Sequence, residues 1–148
     1  MKKCLSILMI LWFLCGTVPA QVPDLAAQQK DQESAAAAGN ATAQLNFGLR
    51  LLVPNTPTRN PKAAFDWISR AANQGHPAAL RVLGFLYATG TGVDKDFVLA
   101  KKNYTLAVQG GDLDALNNLG AMAMRGEGGG VDLNAAEMYF NQAVQKGH

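Results

Sequence analysis

The sequence predicts an all-α fold, an array of stacked antiparallel helix pairs. The first observation is a period. Gly48, Gly84 and Gly120 share one slot, Ala64, Ala100 and Ala136 a second, and Ala71, Ala107 and Ala143 a third, each 36 residues apart. A fixed period of roughly 20–50 residues marks a repeat array. The second is apolar spacing: Ala79, Leu83 and Tyr87 recur every four residues, on one face of a helix. The third is punctuation in register. Asp24, Asn60, Asp96 and Asp132 fill a helix-capping slot, and Gly39, Gly75, Gly111 and Gly147 fill a helix-stop slot.

Residues 1–20 read as a secretory signal peptide. Lys2 and Lys3 precede an apolar run to Cys15, and Val18-Pro19-Ala20 places small residues for a cut after Ala20. The run is short for a membrane span. Trp12, Phe13 and Leu14 stand where a lipoprotein site wants small residues, so Cys15 reads as part of the apolar run. Localisation is therefore expected to be periplasmic or secreted, unless the signal is kept as an anchor. Both cysteines leave with the signal, so the mature chain has neither a disulfide nor a thiolate. Removing Lys2 and Lys3 leaves 11 basic residues against the 11 acidic ones. Neither nucleic acid nor an anionic membrane surface is a partner on charge grounds.

Residues 21–39 form a short linker and an N-terminal capping helix. That helix starts after Asp24, is Ala-rich, stops at Gly39 and carries few large apolar groups; a flexible Ala/Gln spacer is the alternative. Residues 40–148 hold three repeats, at about 40–75, 76–111 and 112–148. In the central repeat, helix A runs from about Pro77 to Thr89, with Pro tolerated in the first turn. Gly84 sits mid-helix, where Gly costs about 1 kcal/mol relative to Ala. Its recurrence predicts a close helix approach there. Gly90-Thr91-Gly92 makes the turn, and Asp96 caps helix B, from about Phe97 to Gly110. The helix-B stripe is Ala100, Tyr104, Ala107 and Val108, matched by Ala64, Ile68, Ala71 and Ala72, and by Ala136, Phe140, Ala143 and Val144. The first repeat has Pro54-Asn55-Thr56-Pro57 in place of the Gly-x-Gly turn, which predicts a stiffer, differently shaped loop. Gly128-Gly129-Gly130 predicts a mobile one. On the last helix, Asn134, Glu137, Asn141 and Gln145 suggest a solvated end cap.

These residues resemble the Sel-one-like repeat family, a relative of the tetratricopeptide repeats. The marks are Leu83-Gly84, Tyr87, Gly90-Thr91-Gly92-Val93, Asp96, Ala100, Tyr104, Ala107 and Gly111, and the closing segment from Trp67 to Ala71-Ala72-Asn73-Gln74-Gly75-His76. The period also separates the chain from tetratricopeptide units, whose repeat is about 34 residues. The resemblance implies a right-handed α-solenoid acting as a protein-interaction adaptor. Some secreted relatives carry a disulfide per repeat and are linked to β-lactams. The mature chain, without Cys, departs from that subgroup.

Chemistry is poorly provided for. Ser34 and Ser69 are the mature serines, and neither lies in Ser-x-x-Lys or Gly-x-Ser-x-Gly. His76 and His148 occupy equivalent slots one repeat apart and read as turn or cap residues. Asp94 and Asp96 read as a loop residue and an N-cap, and no Gly-Lys-Ser/Thr follows the glycine loops. Asn40 and Asn103 begin glycosylation sequons, but Asn40 sits in a cap slot and Asn103 beside a core stripe. No catalytic residue, cofactor or metal is expected. The function expected is an exported adaptor that binds a protein or peptide on a concave face lined by the A helices. Asn46, Arg50, Arg81, Phe85, Asn117, Asn118 and Met122 are its candidate contacts. A small envelope hydrolase of β-lactamase or esterase type is the alternative.

Overall fold

A computed structural model describes residues 25–146, with side chains from Lys30. The expected signal peptide at residues 1–20, the expected cap at Asp24, Gly147 and His148 lie outside the described residues. Seven helices are found among them: α1 Leu25–Ala37, α2 Ala41–Leu52, α3 Pro61–Asn73, α4 Pro77–Thr89, α5 Phe97–Gln109, α6 Asp114–Arg125 and α7 Leu133–Gln145. None is long and apolar enough to cross a membrane. The chain divides into two compact units, Met1–Lys30 and Asp31–His148; the packing below belongs to the second. There α2–α3, α4–α5 and α6–α7 pair as hairpins, and α3–α4 and α5–α6 join each hairpin to the next. This is the all-α solenoid that the period predicted, a stack in which each layer needs its neighbour to bury its apolar face.

The capping slot behaves as read. Asn60, Asp96 and Asp132 accept from the backbone N–H three residues on, at 3.1, 2.9 and 2.9 Å. Asn40 does the same for α2, at 2.9 Å from Ala43 N. His76 caps α4 through Nδ1, which accepts from Ala79 N–H at 3.4 Å. The other ring nitrogen, Nε2, lies 3.3 Å from Thr42 Oγ1 and ties the second repeat to the first. Among α2–α7, α6 alone begins without a side-chain cap, because Asp112, in the slot of His76, is held elsewhere.

The recurrent mid-helix glycine marks equivalent crossings. A methyl group built on Gly48 would lie 2.6 Å from Ile68 Cγ1, one on Gly84 2.9 Å from Tyr104 Cδ1, and one on Gly120 2.7 Å from Phe140 Cζ. Ile68 and Tyr104 are buried among Ala64, Ala71, Ala100 and Ala107 in a continuous core. Burial of a large side chain contributes roughly 1.5–3 kcal/mol, and it is available here only because a helix lacking a side chain lets the partner in.

The second glycine of each turn joins layers instead of closing a loop. Added side-chain atoms at Gly92 would collide with the Pro61 carbonyl, and at Gly128 would lie 2.8 Å from Phe97 O. Each is the first-turn carbonyl of the preceding helix B. Gly128 is therefore seated, while Gly129 and Gly130 face open space. The first repeat has Thr56 in this slot, and Asn55 takes φ 59°. Its loop still closes as the others do. Asn60, Asp96 and Asp132 donate their backbone N–H to Leu51, Tyr87 and Ala123 O, at 2.8, 2.9 and 2.9 Å.

Two details depart from the predicted stripes. Val144 is 70% exposed, although it shares a slot with Ala72 and Val108. The following helix covers the other two, and no described helix covers Val144. Asn103 is buried, with Nδ2 donating to Leu99 O at 2.8 Å, so it is not presented as a sequon.

Candidate docking surface on the A helices

The A helices α2, α4 and α6 carry the seven candidate contacts, and the fold sorts them. Asn46 and Asn117 are exposed, and Phe85 is 51% exposed. Met122 is corrected: at 2% exposure it belongs to the core, because α6 turns that position toward α5 and α7. Its slot is shared by Leu86, which is fully buried. Only Arg50, at the first repeat, is polar in that slot. Asn118 is half-buried, with Nδ2 donating to Asp114 O at 3.4 Å.

Neither arginine is idle. Arg81 Nε donates to both Asp112 oxygens, at 3.0 and 2.8 Å, and its Nη2 lies 3.7 Å from Asp114. This bond spans 31 residues and clamps the second repeat to the third. It also explains why Asp112 does not cap α6. Arg50 Nη1 donates to Gln32 Oε1 at 3.5 Å, toward the N-terminal helix. Both guanidiniums therefore hold layers together.

One residue was missed. Leu49, 40% exposed, occupies the slot of Phe85 one repeat earlier. Two large apolar side chains thus stand exposed at equivalent points on adjacent A helices, with Asn46 and Asn117 beside the row. Aligning the repeats would have found Leu49. A Leu reads as core until its slot is compared with that of Phe85.

Among the described residues the alternative, hydrolase reading finds no support. Ser69 Oγ is buried and has no hydrogen-bond partner, and the His76 imidazole is used at the α4 cap and at Thr42. A nucleophile needs a base within reach. Among the described residues no group of three or more His, Cys, Asp or Glu could hold a metal. A cavity of about 190 Å³ lies at the second junction, lined by Lys101, Leu119, Glu127, Asp132 and Tyr139 among others. Pockets for small ligands run to roughly 300–1,000 Å³. Its acids are also engaged: Asp132 caps α7, and Glu127 pairs with Arg125 at 2.7 Å, a hydrogen bond that lowers its pKa.

Comparison with known proteins agrees with this geometry. The family model described as Sel1 repeat matches residues 43–76, 77–112 and 113–148. The Arabidopsis thaliana ERAD-associated E3 ubiquitin-protein ligase component HRD3B is 40% identical over 76 residues, 51% of this chain and 13% of that protein. The chain thus spans about an eighth of that relative's length. A solved Sel1 repeat protein from Oxalobacter formigenes superposes with a TM-score of 0.76 at 30% identity, over 86% of this chain and 94% of that one. A protective antigen of uropathogenic Escherichia coli strains, displaying an SLR fold, gives 0.75 at 36% identity, over 81% of this chain and 26% of its own.

Proposed function

Because the chain belongs to the Sel1 repeat family, whose members act as interaction scaffolds, we propose that it is an exported adaptor that captures a polypeptide on the concave face of its A helices. The observation that carries this reading is the apolar row. Leu49 and Phe85 are large, exposed and in one slot, while Leu45, Leu80, Leu83 and Leu86 of the same helices are buried in the core. An apolar anchor in a partially buried surface is the usual centre of a binding epitope, and a repeat array offers such anchors at regular intervals. HRD3B is by its name a component of a larger assembly, which suits a scaffold. Export rests on the leader-like residues 1–20. The two asparagines beside the row supply amides that can pair with a peptide backbone.

The test is a pull-down from the native envelope with the secreted chain as bait. Phe85→Ser and Leu49→Ser are expected to reduce capture while circular dichroism stays unchanged, and Arg81→Glu to act through stability. Capture unaffected by both serine variants would refute the assignment. Cell fractionation and N-terminal sequencing check the export and the cut after Ala20.

A further inference from the structure

We propose that the cavity at the second junction takes one phenylalanine ring from a partner polypeptide. That the carrier is a polypeptide rests on the adaptor function proposed above; that the cavity takes a ring rests on the repeats themselves. The two junctions use the same slots and fill them differently. At the first, Phe65 of α3 and Tyr87 of α4 meet edge to face, with ring centroids 5.5 Å apart, and Val93 packs against the same core. One repeat later these slots hold Lys101, Ala123 and Gly129, and half-buried Leu99 is matched by Ala135. Large apolar side chains thus give way to an exposed lysine, two alanines and a glycine. All of these replacements line the cavity of about 190 Å³. A methyl group built on Gly129 meets nothing within 4 Å. The lost volume remains as a hollow.

Size and lining select the occupant. The hollow is below the range of a small-molecule site, yet an apolar cavity of about 150 Å³ holds benzene. It has room for one ring. Leu119 and Met122, both buried, line it together with the ring of Tyr139. The thioether and the aromatic wall favour an aromatic guest, and the first junction has neither, with Leu86 and Asn103 in those slots.

The remaining lining sets the direction of entry. Lys101, Gly129, Gly130 and Asp132 are the exposed lining residues, so the mouth is polar. A side chain enters tip first, and its main chain stays at the mouth. The tip of a phenylalanine meets Leu119 and Met122. A tyrosine hydroxyl, or the charge of a lysine or arginine, would be set against the same apolar wall at a desolvation cost. At the mouth the Lys101 ammonium can donate to a peptide carbonyl. Asp132 caps α7 through Oδ1, which leaves its second oxygen to accept from a peptide N–H.

Amide NMR of the purified chain, titrated with toluene and with the N-acetyl amides of phenylalanine, tyrosine and arginine, tests this. Toluene and N-acetylphenylalaninamide are expected to give saturable shifts at Ala123, Gly129 and Ala135, and the other two amides weaker ones. Gly129→Val restores the Val93 of the first junction and Ala123→Tyr its Tyr87. Both should abolish the shifts while the urea midpoint holds or rises, because the hollow is filled. If Ala123→Tyr loses helicity, Gly129→Val decides alone. Absence of saturable shifts overturns the proposal, and so do shifts that survive Gly129→Val. Tighter binding of the tyrosine or arginine amide overturns the choice of ring. Toluene binding without N-acetylphenylalaninamide would report a free aromatic molecule and overturn the polypeptide carrier. Phe85→Ser and Leu49→Ser should leave the shifts unchanged, so ring binding can fail while capture on that row holds, and hold while that capture fails.

Discussion

Replacing Gly84 by Ala sets two known effects against each other. In an exposed helix the change stabilises by about 1 kcal/mol, since Ala is the best helix former and Gly among the poorest. Here the new methyl group would lie 2.9 and 3.0 Å from two Tyr104 ring carbons and 3.1 Å from the Ala100 carbonyl oxygen. The ring has no free side to retreat to, since Tyr104 is 2% exposed. The oxygen is backbone, so α4 and α5 must separate by a few tenths of an ångström. Overpacking of this kind costs about 1–3 kcal/mol, and the rigid oxygen places it in the upper half. The net expectation is a loss of about 1–2 kcal/mol, with the propensity gain already subtracted. Urea denaturation followed by circular dichroism measures it, with Gly129→Ala as control. A methyl at Gly129 meets nothing within 4 Å, so that variant should stay within about 0.5 kcal/mol of the parent. A Gly84→Ala chain as stable as the parent, or more so, would refute the close-crossing argument for all three glycines.

Further expectations concern the junctions and the core. Arg81→Met removes the fork from Asp112 and should cost roughly 1–2 kcal/mol, discounted because Arg81 is partly exposed; a double-mutant cycle with Asp112→Asn that finds no coupling would count against the clamp. Ser69→Ala removes a buried hydroxyl that has no partner, so stability should hold or rise by up to about 1 kcal/mol; a shift of the urea midpoint to clearly lower concentration would show a bond the geometry lacks. Burial raises the Tyr104 pKa from 10.0 to about 12, against the lowering influence of Arg81 and Arg125. The unfolded tyrosine gives up its proton first, so the unfolded state binds fewer protons between those values. Stability should be complete below pH 10 and fall by on the order of 2 kcal/mol towards pH 12. Tyr104→Phe should remove that part of the alkaline slope; an identical slope in the variant would refute it.

The helices were legible because most are declared locally, by a cap, a stripe or a stop. Pro77 to Thr89 was read from His76-Pro77, the four-residue spacing and Gly90, and the helix has those bounds. The Gly84 crossing was legible because recurrence turned a propensity defect into a packing signal. The candidate surface was harder. Whether an arginine faces a partner or its own chain depends on an acid 31 residues away, as with Arg81 and Asp112, and the 36-residue period gives no warning of that. Met122 failed for a related reason. Its slot holds Arg50 in the first repeat and Leu86 in the second, so one slot serves opposite environments, and the first copy was a poor guide to the third. Val144 shows the converse: an apolar residue in a core slot stays exposed where no described helix packs over it.

The backbone bond from Asn60, Asp96 or Asp132 to the A helix before it closes every hairpin, whatever residues lie between. The ends of each connection are pinned while its middle is free to differ, and the first repeat uses that freedom. A foreign epitope grafted between Pro54 and Arg59 should therefore be displayed with the stack intact. The same graft at Gly92 would have to lift off the Pro61 carbonyl and would prise two layers apart. Tolerance to engineering thus varies from one connection to the next along a single periodic chain.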